Sequence, residues 1–441
     1  MAEPDVSSTL HLNLLLNANG GNHSAWRVAD DPVANVLGLK NYIATAQAAE
    51  RAKFDAVFLA DRLAFVENPA GWLWSPLEPI TTMSAVASHT ERIGLIVTAS
   101  TTFIEPYNLA RMLGSLDHFS NGRVGWNIVN GYNPDAARNF GLTELPPREK
   151  RYDRMYEFIE VVSALWDSWD DDAIVADRTS HRYVDPEKVH RIDHVGEHFR
   201  VAGPFNVPRS PQGRPVYIQA GLSADNREFA GAIGEGVYTN LQSVEEGVVF
   251  TQDVKRRARL HGRNPSHVLV LPGLVPHVGS TMAEALRQQE EVVEASDPDG
   301  LLHSLNVMYG TQYAGLGMDD VVPASELPER SFTMVSTPGV FARLIRDRET
   351  TVRDLLRLMD VDAHRVLVGT PESIADDFGR WLGAGASDGF TIMPSLLPSG
   401  FEDFADQVVP VLQERGLFRR EYEGETLRSH YGLPRPVVDR G

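Results

Sequence analysis

The sequence predicts an α/β fold, an eight-stranded parallel (β/α)8 TIM barrel with insertions, and three observations point to it. Short apolar runs recur along the chain with helix-like segments between them. The runs are continuous rather than alternating, as strands covered on both faces require. Eight of them suit a closed barrel, which leaves no edge, better than an open doubly wound sheet.

In chain order, strands are expected near 10–16, 54–60, 93–98, 124–129, 216–220, 237–239, 268–271 and 390–393. The clearest repeat occupies residues 92–141. Arg92-Ile-Gly-Leu-Ile-Val-Thr-Ala99 ends in Thr98, Ser100, Thr101 and Thr102, and a helix-like segment follows through Tyr107, Leu109, Leu113 and Leu116. Val124-Gly-Trp-Asn-Ile-Val129 then ends in Asn130, Gly131 and Asn133. Polar residues at the carboxyl ends of such strands mark where α/β folds hold ligands. The strongest helix, at 149–168, carries Met155, Phe158, Ile159, Val162, Leu165 and Trp166 on one face at 3.6-residue spacing.

Two stretches exceed the barrel repeat. One, about 168–213, is acidic and then rich in Arg, His and Pro, and reads as a hairpin or loop excursion. The other, about 276–364, contains a helical piece at 282–295 and a Gly/Asp/Pro-rich part at 297–338. Each suits a lid or substrate-shaping element and equally a surface or dimer contact. The expectation is a single domain, 1–441, with a C-terminal extension over 415–441.

Composition narrows the function classes. The 441 residues hold 60 acidic and 41 basic side chains, a net charge of −19, and no basic cluster stands out. Such a surface repels nucleic acid and anionic membranes. With no cysteine, disulfides, thiolate nucleophiles and Cys-held metals are excluded. No apolar run nears the ~18 residues of a membrane helix, and Met1-Ala-Glu-Pro-Asp5 lacks a secretion signal. A cytoplasmic location is expected.

Several motifs are missing: there is no Gly-x-Gly-x-x-Gly, no Gly-Lys-Ser/Thr and no His-Glu-x-x-His. His190, His194 and His198 have metal-ligand spacing only on a helix, and the intervening Val195-Gly196-Glu197 reads as a turn, so solvated loop histidines are expected. Strand ends are more informative. Asp61 closes the second strand as a ligand contact or a helix cap. Thr98, Ser100 and Asn127 close the third and fourth; they suit the edge of a heterocycle or bonding between loops. Gln219-Ala-Gly-Leu-Ser223 is a small-residue turn into a helix N-terminus, a ready site for a phosphate, with Ser223 also fit to cap. Arg148, Arg151 and Tyr152, at the start of the long helix, are further phosphate donors or solvated residues.

These residues belong to a longer ordered set: His23-Ser-Ala-Trp26-Arg27, Phe58-Leu-Ala-Asp61, Glu105-Pro-Tyr107, Ser115-Leu-Asp-His118, Asn121-Gly-Arg-Val-Gly-Trp-Asn127, Arg151-Tyr152, Leu165-Trp-Asp-Ser-Trp169, Gln219-Ala-Gly221, Gly369-Thr-Pro371, Met393-Pro394 and Gly432-Leu-Pro-Arg-Pro436. In this set the chain resembles the nitrilotriacetate monooxygenase component A and dibenzothiophene-sulfone monooxygenase branch of the bacterial luciferase-like flavin monooxygenases. The resemblance implies a (β/α)8 barrel, and FMN bound as FMNH2 supplied by a separate NAD(P)H:flavin reductase. It also implies transfer of one oxygen atom from O2 to a small organic substrate through a flavin C4a-peroxide, and a homodimer or homotetramer. It implies FMN contacts at Asp61, Thr98, Tyr152 and Ser223, with Asn127 and Ser100 beside them. Two positions depart from the family: Arg148 stands where a histidine is usual, its guanidinium able to replace that phosphate donor, and Asn226 stands where glycine is favoured. His23 is the expected acid/base or hydrogen-bond donor. Trp26 and Trp72 are the expected substrate contacts. Two alternatives keep the barrel: an F420-dependent luciferase-like oxidoreductase, and a barrel that binds a ligand without catalysis.

Overall fold

The computed structural model describes residues 9–65, 77–131, 133–328, 337–358 and 364–438. All eight expected strands form: β1 (His11–Leu15), β2 (Ala56–Leu59), β3 (Gly94–Ser100), β4 (Val124–Val129), β5 (Val216–Ala220), β6 (Gly236–Thr239), β7 (Leu269–Val278) and β8 (Gly389–Ile392). Each pairs in parallel with its neighbours, and β8 pairs with β1, so the sheet closes into a barrel.

Closure sorts every strand by a period of two. Leu12 and Leu14, Val57 and Leu59, Leu95 and Val97, Trp126 and Ile128, Tyr217, Val237, Val270, and Phe390 and Ile392 pack outward beneath the helices. The alternate residues Leu15, Phe58, Ile96, Ile218, Leu271 and Met393 form a separate interior cluster. Both faces are apolar, which is why the runs read as continuous. The six apolar residues expected on one face of the long helix, Arg148–Trp166, are all buried against the outer layer.

A ninth strand, Arg365–Gly369, was not expected. It extends the sheet alongside the upper half of β7, from Leu274 opposite Arg365 to Val278 opposite Gly369. Three apolar residues between Arg365 and Gly369 are too short a run to register as a strand.

Residues 168–213 hold two small antiparallel hairpins, Ile174–Asp177 with Arg182–Val184 and His194–Val195 with Arg200–Val201. His194 corrects the expectation of solvated histidines: its Nε2 lies 3.1 Å from Glu157 Oε1. The same carboxylate accepts the backbone N–H groups of His198 and Phe199. No group of three metal-ligating side chains forms among the described residues.

After β7 come helices Met282–Ala295, Pro298–Tyr309, Thr337–Asp347 and Val352–Leu358. They gather around their own apolar cluster, with Leu301, Leu305, Phe341, Ile345 and Leu355 at its centre. Pro298–Tyr309 falls inside the part read as Gly/Asp/Pro-rich. Its proline sits at the first helical turn and Gly310, at φ +74°, ends it, so the apparent loop-formers are helix punctuation.

The C-terminal segment closes the amino end of the barrel. Leu427, Tyr431 and Leu433 enter the interior cluster, and the Tyr431 hydroxyl donates to Asn13 Oδ1 at 2.7 Å. Gly94 leaves room for this plug: a Cβ there would stand 2.5 Å from Leu427 Cδ1 and 2.9 Å from the Asp55 carbonyl. Arg428 forks onto the buried Glu235 carboxylate at 2.6 and 2.9 Å, and Arg419 meets the buried Asp55 at 2.5 Å. His430 is buried in the same plug, its ring 4.7 Å from that of Tyr422.

Two outcomes follow. Arg428→Ala takes from the largely buried Glu235 its ion-pair partner, leaving it the Tyr217 N–H and the charge of Arg214, and is expected to cost about 3 kcal/mol in urea unfolding. Burial pushes the His430 imidazole down to about 4, against the opposing pull of Asp55. The unfolded chain therefore takes up this proton near pH 6.5 and the folded chain only near 4. That contribution, about 3 kcal/mol, is full above pH 6.5 and is lost as pH falls to about 4. His430→Gln is expected to flatten unfolding free energy over that window; an unchanged slope counts against it.

Candidate active site

At the carboxyl end of β5 the chain turns through Gly221, at φ +125°, into helix Ala224–Ala232. Ser223 caps it, its Oγ accepting the Asn226 N–H at 3.2 Å. A side chain at 221 would place Cβ 2.0 Å from Asn226 Nδ2, so the backbone closes on the helix start only as glycine. Helix Arg148–Trp166 brings two more groups to this turn. Arg148 donates to Ser223 Oγ at 3.0 Å, and Tyr152 donates to Asn226 Oδ1 at 2.5 Å. The Arg148 guanidinium stands 5.6 Å over the Tyr152 ring. Three of the four phosphate candidates thus share one site, Arg148 and Ser223 from 75 residues apart together with Tyr152, whereas Arg151 donates to the Pro146 carbonyl. Asn226, noted as a departure from glycine, is its fourth member. In this structure Arg148 is paired with Asp225 at 2.7 Å, both half-exposed; an anion at the turn would compete with that carboxylate for the guanidinium.

The neighbouring strand ends carry the heterocycle candidates. Asn127 shares the inward face of β4 with Gly125, where a Cβ would meet the interior residues Ile96 and Leu427. It donates from Nδ2 to Thr98 Oγ1 at 3.0 Å, while its own Oδ1 is buried without a partner. Thr98 in turn donates to the Leu59 carbonyl at 3.0 Å. Ser100 accepts the Thr102 N–H at 3.2 Å. Thr98 and Ser100 are therefore chiefly scaffold for Asn127 and the loop, and the open acceptor is the amide oxygen.

Asp61, just past β2, is half-buried. Burial first, and the charge of Glu78 second, raise its carboxyl to about 6 against one N–H from Arg62. The loop after β1 carries His23 and Trp26, and it is zipped to the loop after β8. Gly21 N–H donates to the Pro394 carbonyl at 2.8 Å and Asn22 N–H to the Ser395 carbonyl at 3.2 Å. His23 is half-buried there, whereas Trp26 is 40% exposed in a short 3-10 turn. Trp72 lies outside the described residues.

Sequence reasoning missed two features of the mouth. Tyr238, on the inward face of β6, bonds His364 Nε2 at 2.8 Å and Met393 Sδ at 3.3 Å. His364 fits because residue 273 is glycine: a Cβ there would stand 2.5 Å from His364 Nδ1. Asn17, at the top of β1, is buried with no partner for either amide atom. The signal available for Asn17 was an asparagine directly after the apolar run Leu14–Leu16.

A family model described as luciferase-like monooxygenase matches residues 20–388. The chain belongs to that family. It is 41% identical to nitrilotriacetate monooxygenase component A of Aminobacter aminovorans over 445 residues, 98% of each chain. The solved structure of EDTA monooxygenase from Chelativorans sp. BNC1 superposes with a TM-score of 0.80 at 37% identity, covering 97% of this chain and 99% of that one. A riboflavin lyase solved with modified FMN and riboflavin gives a TM-score of 0.81 at 31% identity over 96% of both. This luciferase-like monooxygenase is therefore an oxidoreductase, and the alternative of a non-catalytic barrel falls away. No helix of the described residues is long and apolar enough to cross a membrane.

For this luciferase-like monooxygenase the position of Asp61 predicts an ionisation near pH 6 in the profile of kcat/KM. Asp61→Asn should remove that limb. Glu78→Gln should move it to lower pH, because loss of a neighbouring negative charge eases ionisation. A profile unaltered by both variants would take Asp61 out of the site.

Proposed function

We propose that this chain is the oxygenase component of a two-component system: it receives FMNH2 from a separate NAD(P)H:flavin reductase and inserts one atom of O2 into a small organic substrate. The observation that carries the reading is the cluster of Arg148, Tyr152, Ser223 and Asn226 at the carboxyl end of β5. A helix N-terminus with a hydroxyl, a phenol and a guanidinium gathered on it has the donor set of a phosphate site. The unpartnered Asn127 oxygen beside it offers an acceptor for a ring N–H. The riboflavin lyase relative, solved with modified FMN, supports the same cofactor.

Reduced FMN, when bound, supplies the electrons that activate O2. The chain's own residues do the rest. Ser223, Arg148 and Tyr152 fix the phosphate end, and Asn127, buttressed by Thr98, orients the ring. Asp61 holds or releases a proton near neutrality. His23, placed by the β1 and β8 loops, donates a hydrogen bond or a proton on the substrate side. The helices Met282–Ala295, Pro298–Tyr309, Thr337–Asp347 and Val352–Leu358 limit water at the mouth. The enzyme is proposed to act in the cytoplasm as a homodimer or homotetramer, measurable by light scattering.

Titration with FMN, FMNH2 and F420, followed by oxygen uptake with a reductase, tests the reading. Submicromolar FMNH2 binding with reductase-dependent uptake is expected; binding of F420 alone would overturn it. Ser223→Ala should weaken FMN at least ten-fold while lowering stability by about 1 kcal/mol through the lost cap. Its effect should vanish with riboflavin, which has no phosphate. His23→Ala is expected to lower product formed per O2 consumed and raise hydrogen peroxide; unchanged coupling removes His23 from the chemistry.

A further inference from the structure

Asn17 is one side chain in the barrel mouth that the fold leaves unpaired. Leu10, Leu12, Leu14 and Leu16 all pack in the outer cluster, so the odd positions of this segment face the interior. Two of them bear this out. Leu15 belongs to the interior cluster, and Asn13 accepts the Tyr431 hydroxyl. Asn17 lies two residues beyond the carboxyl end of β1, where the backbone has turned and its N–H donates to the Leu15 carbonyl at 3.2 Å. It is 5% exposed, and neither Nδ2 nor Oδ1 has a hydrogen-bond partner. An unsatisfied buried polar group costs about 1–3 kcal/mol, and folded proteins seldom leave one without a purpose. Asn13 shows the ordinary solution, a partner; Asn17, just beyond the same strand, has none for its amide.

We infer that Asn17 is a ligand-recognition residue whose amide pairs with an adjacent N–H and C=O on a bound heterocycle, the imide edge of the flavin pyrimidine ring. The inference rests on the flavin reading above and extends it to a residue outside the phosphate cluster. Position supports it. β1 and β5 are four strands apart in either direction round the ring, so Asn17 faces the Ser223 turn from the far side of the mouth. A flavin held by its phosphate at β5 directs its ring system toward that side. Chemistry supports it as well. One side chain keeps a donor and an acceptor free together, and an edge carrying both uses both. A carboxylate or phosphate would use only the donor, and a hydrocarbon neither.

The test uses the full-length protein and reads binding rather than turnover. Flavin fluorescence gives the affinity of wild type and Asn17→Leu for FMN, riboflavin and N3-methylated FMN, and a melting curve accompanies each. Asn17→Leu keeps the volume and removes both hydrogen-bonding atoms. It should weaken FMN about ten-fold or more and riboflavin by the same factor. Its Tm in the absence of flavin should equal or exceed that of wild type, since a buried unpaired amide has gone. Wild type should prefer FMN to the N3-methylated form, and the variant should show no such preference. If Asn17→Leu fails to fold, Asn17→Asp carries the test: it is isosteric and lacks only the donor, so it should weaken FMN while keeping the preference over the N3-methylated form, because its carboxylate still accepts the N3–H. Equal FMN affinity of variant and wild type overturns the inference while flavin binding stands, and the amide is then satisfied by water. FMN affinity unchanged with a raised substrate KM overturns it too, since the amide then reads the substrate. Absence of flavin binding in wild type removes both this inference and the reading beneath it.

Discussion

Ring closure is the constraint on which the rest of this molecule depends. Once β8 pairs with β1, each strand has a neighbour on both sides and each side chain must choose between the interior and the helical layer. The choice alternates strictly: Leu12 and Leu14 out, Asn13 and Leu15 in; Trp126 out, Gly125 and Asn127 in. A polar residue on the inward face is therefore committed to the barrel axis. What it does there depends on its height, because the two ends of the axis are finished differently.

At the amino end three inward or flanking groups meet partners from the C-terminal segment. Arg428 neutralises Glu235, Arg419 neutralises Asp55, and Tyr431 satisfies Asn13. Leu427 and Leu433 complete the packing. The plug thus makes the lower barrel a closed core in which these groups are paired, although both ring nitrogens of the buried His430 are without a partner. At the carboxyl end comparable residues stay open: the Asn127 oxygen and both atoms of Asn17 have no partner. Those open amides lie at the end of the barrel where α/β barrels hold their ligands.

The barrel was legible in the sequence because strands covered on both faces are written as unbroken apolar runs, and the phosphate turn because Gln219-Ala-Gly-Leu-Ser223 carries its own cap and its own glycine. Arg148 and Tyr152 were legible only as phosphate donors or solvated residues, and the resemblance favoured the first for Tyr152, since no local pattern links helix Arg148–Trp166 to a turn so far along the chain. Other features were not legible, each for a physical reason. The strand Arg365–Gly369 is too short to show a period. Glu157 captures His194 through a hairpin fold-back that no local pattern announces. Asn17 looks like any asparagine following a strand until its burial without a side-chain partner is seen.

The helical layer inserted after β7 has its own apolar cluster, distinct from the two that build the barrel. Arg353 fastens it internally, meeting Glu294 at 2.5 Å and Asp319 at 2.8 Å, with Glu290 alongside. Its return to the barrel is made by the strand Arg365–Gly369 on β7, with His364 set into the notch at Gly273 against Tyr238. A layer that holds itself together can change its inner surface without loosening the ring. A family whose members are named for nitrilotriacetate, EDTA and riboflavin needs this separation. The cradle at β5 stays fixed by the barrel, and the opposite wall is free to be rebuilt.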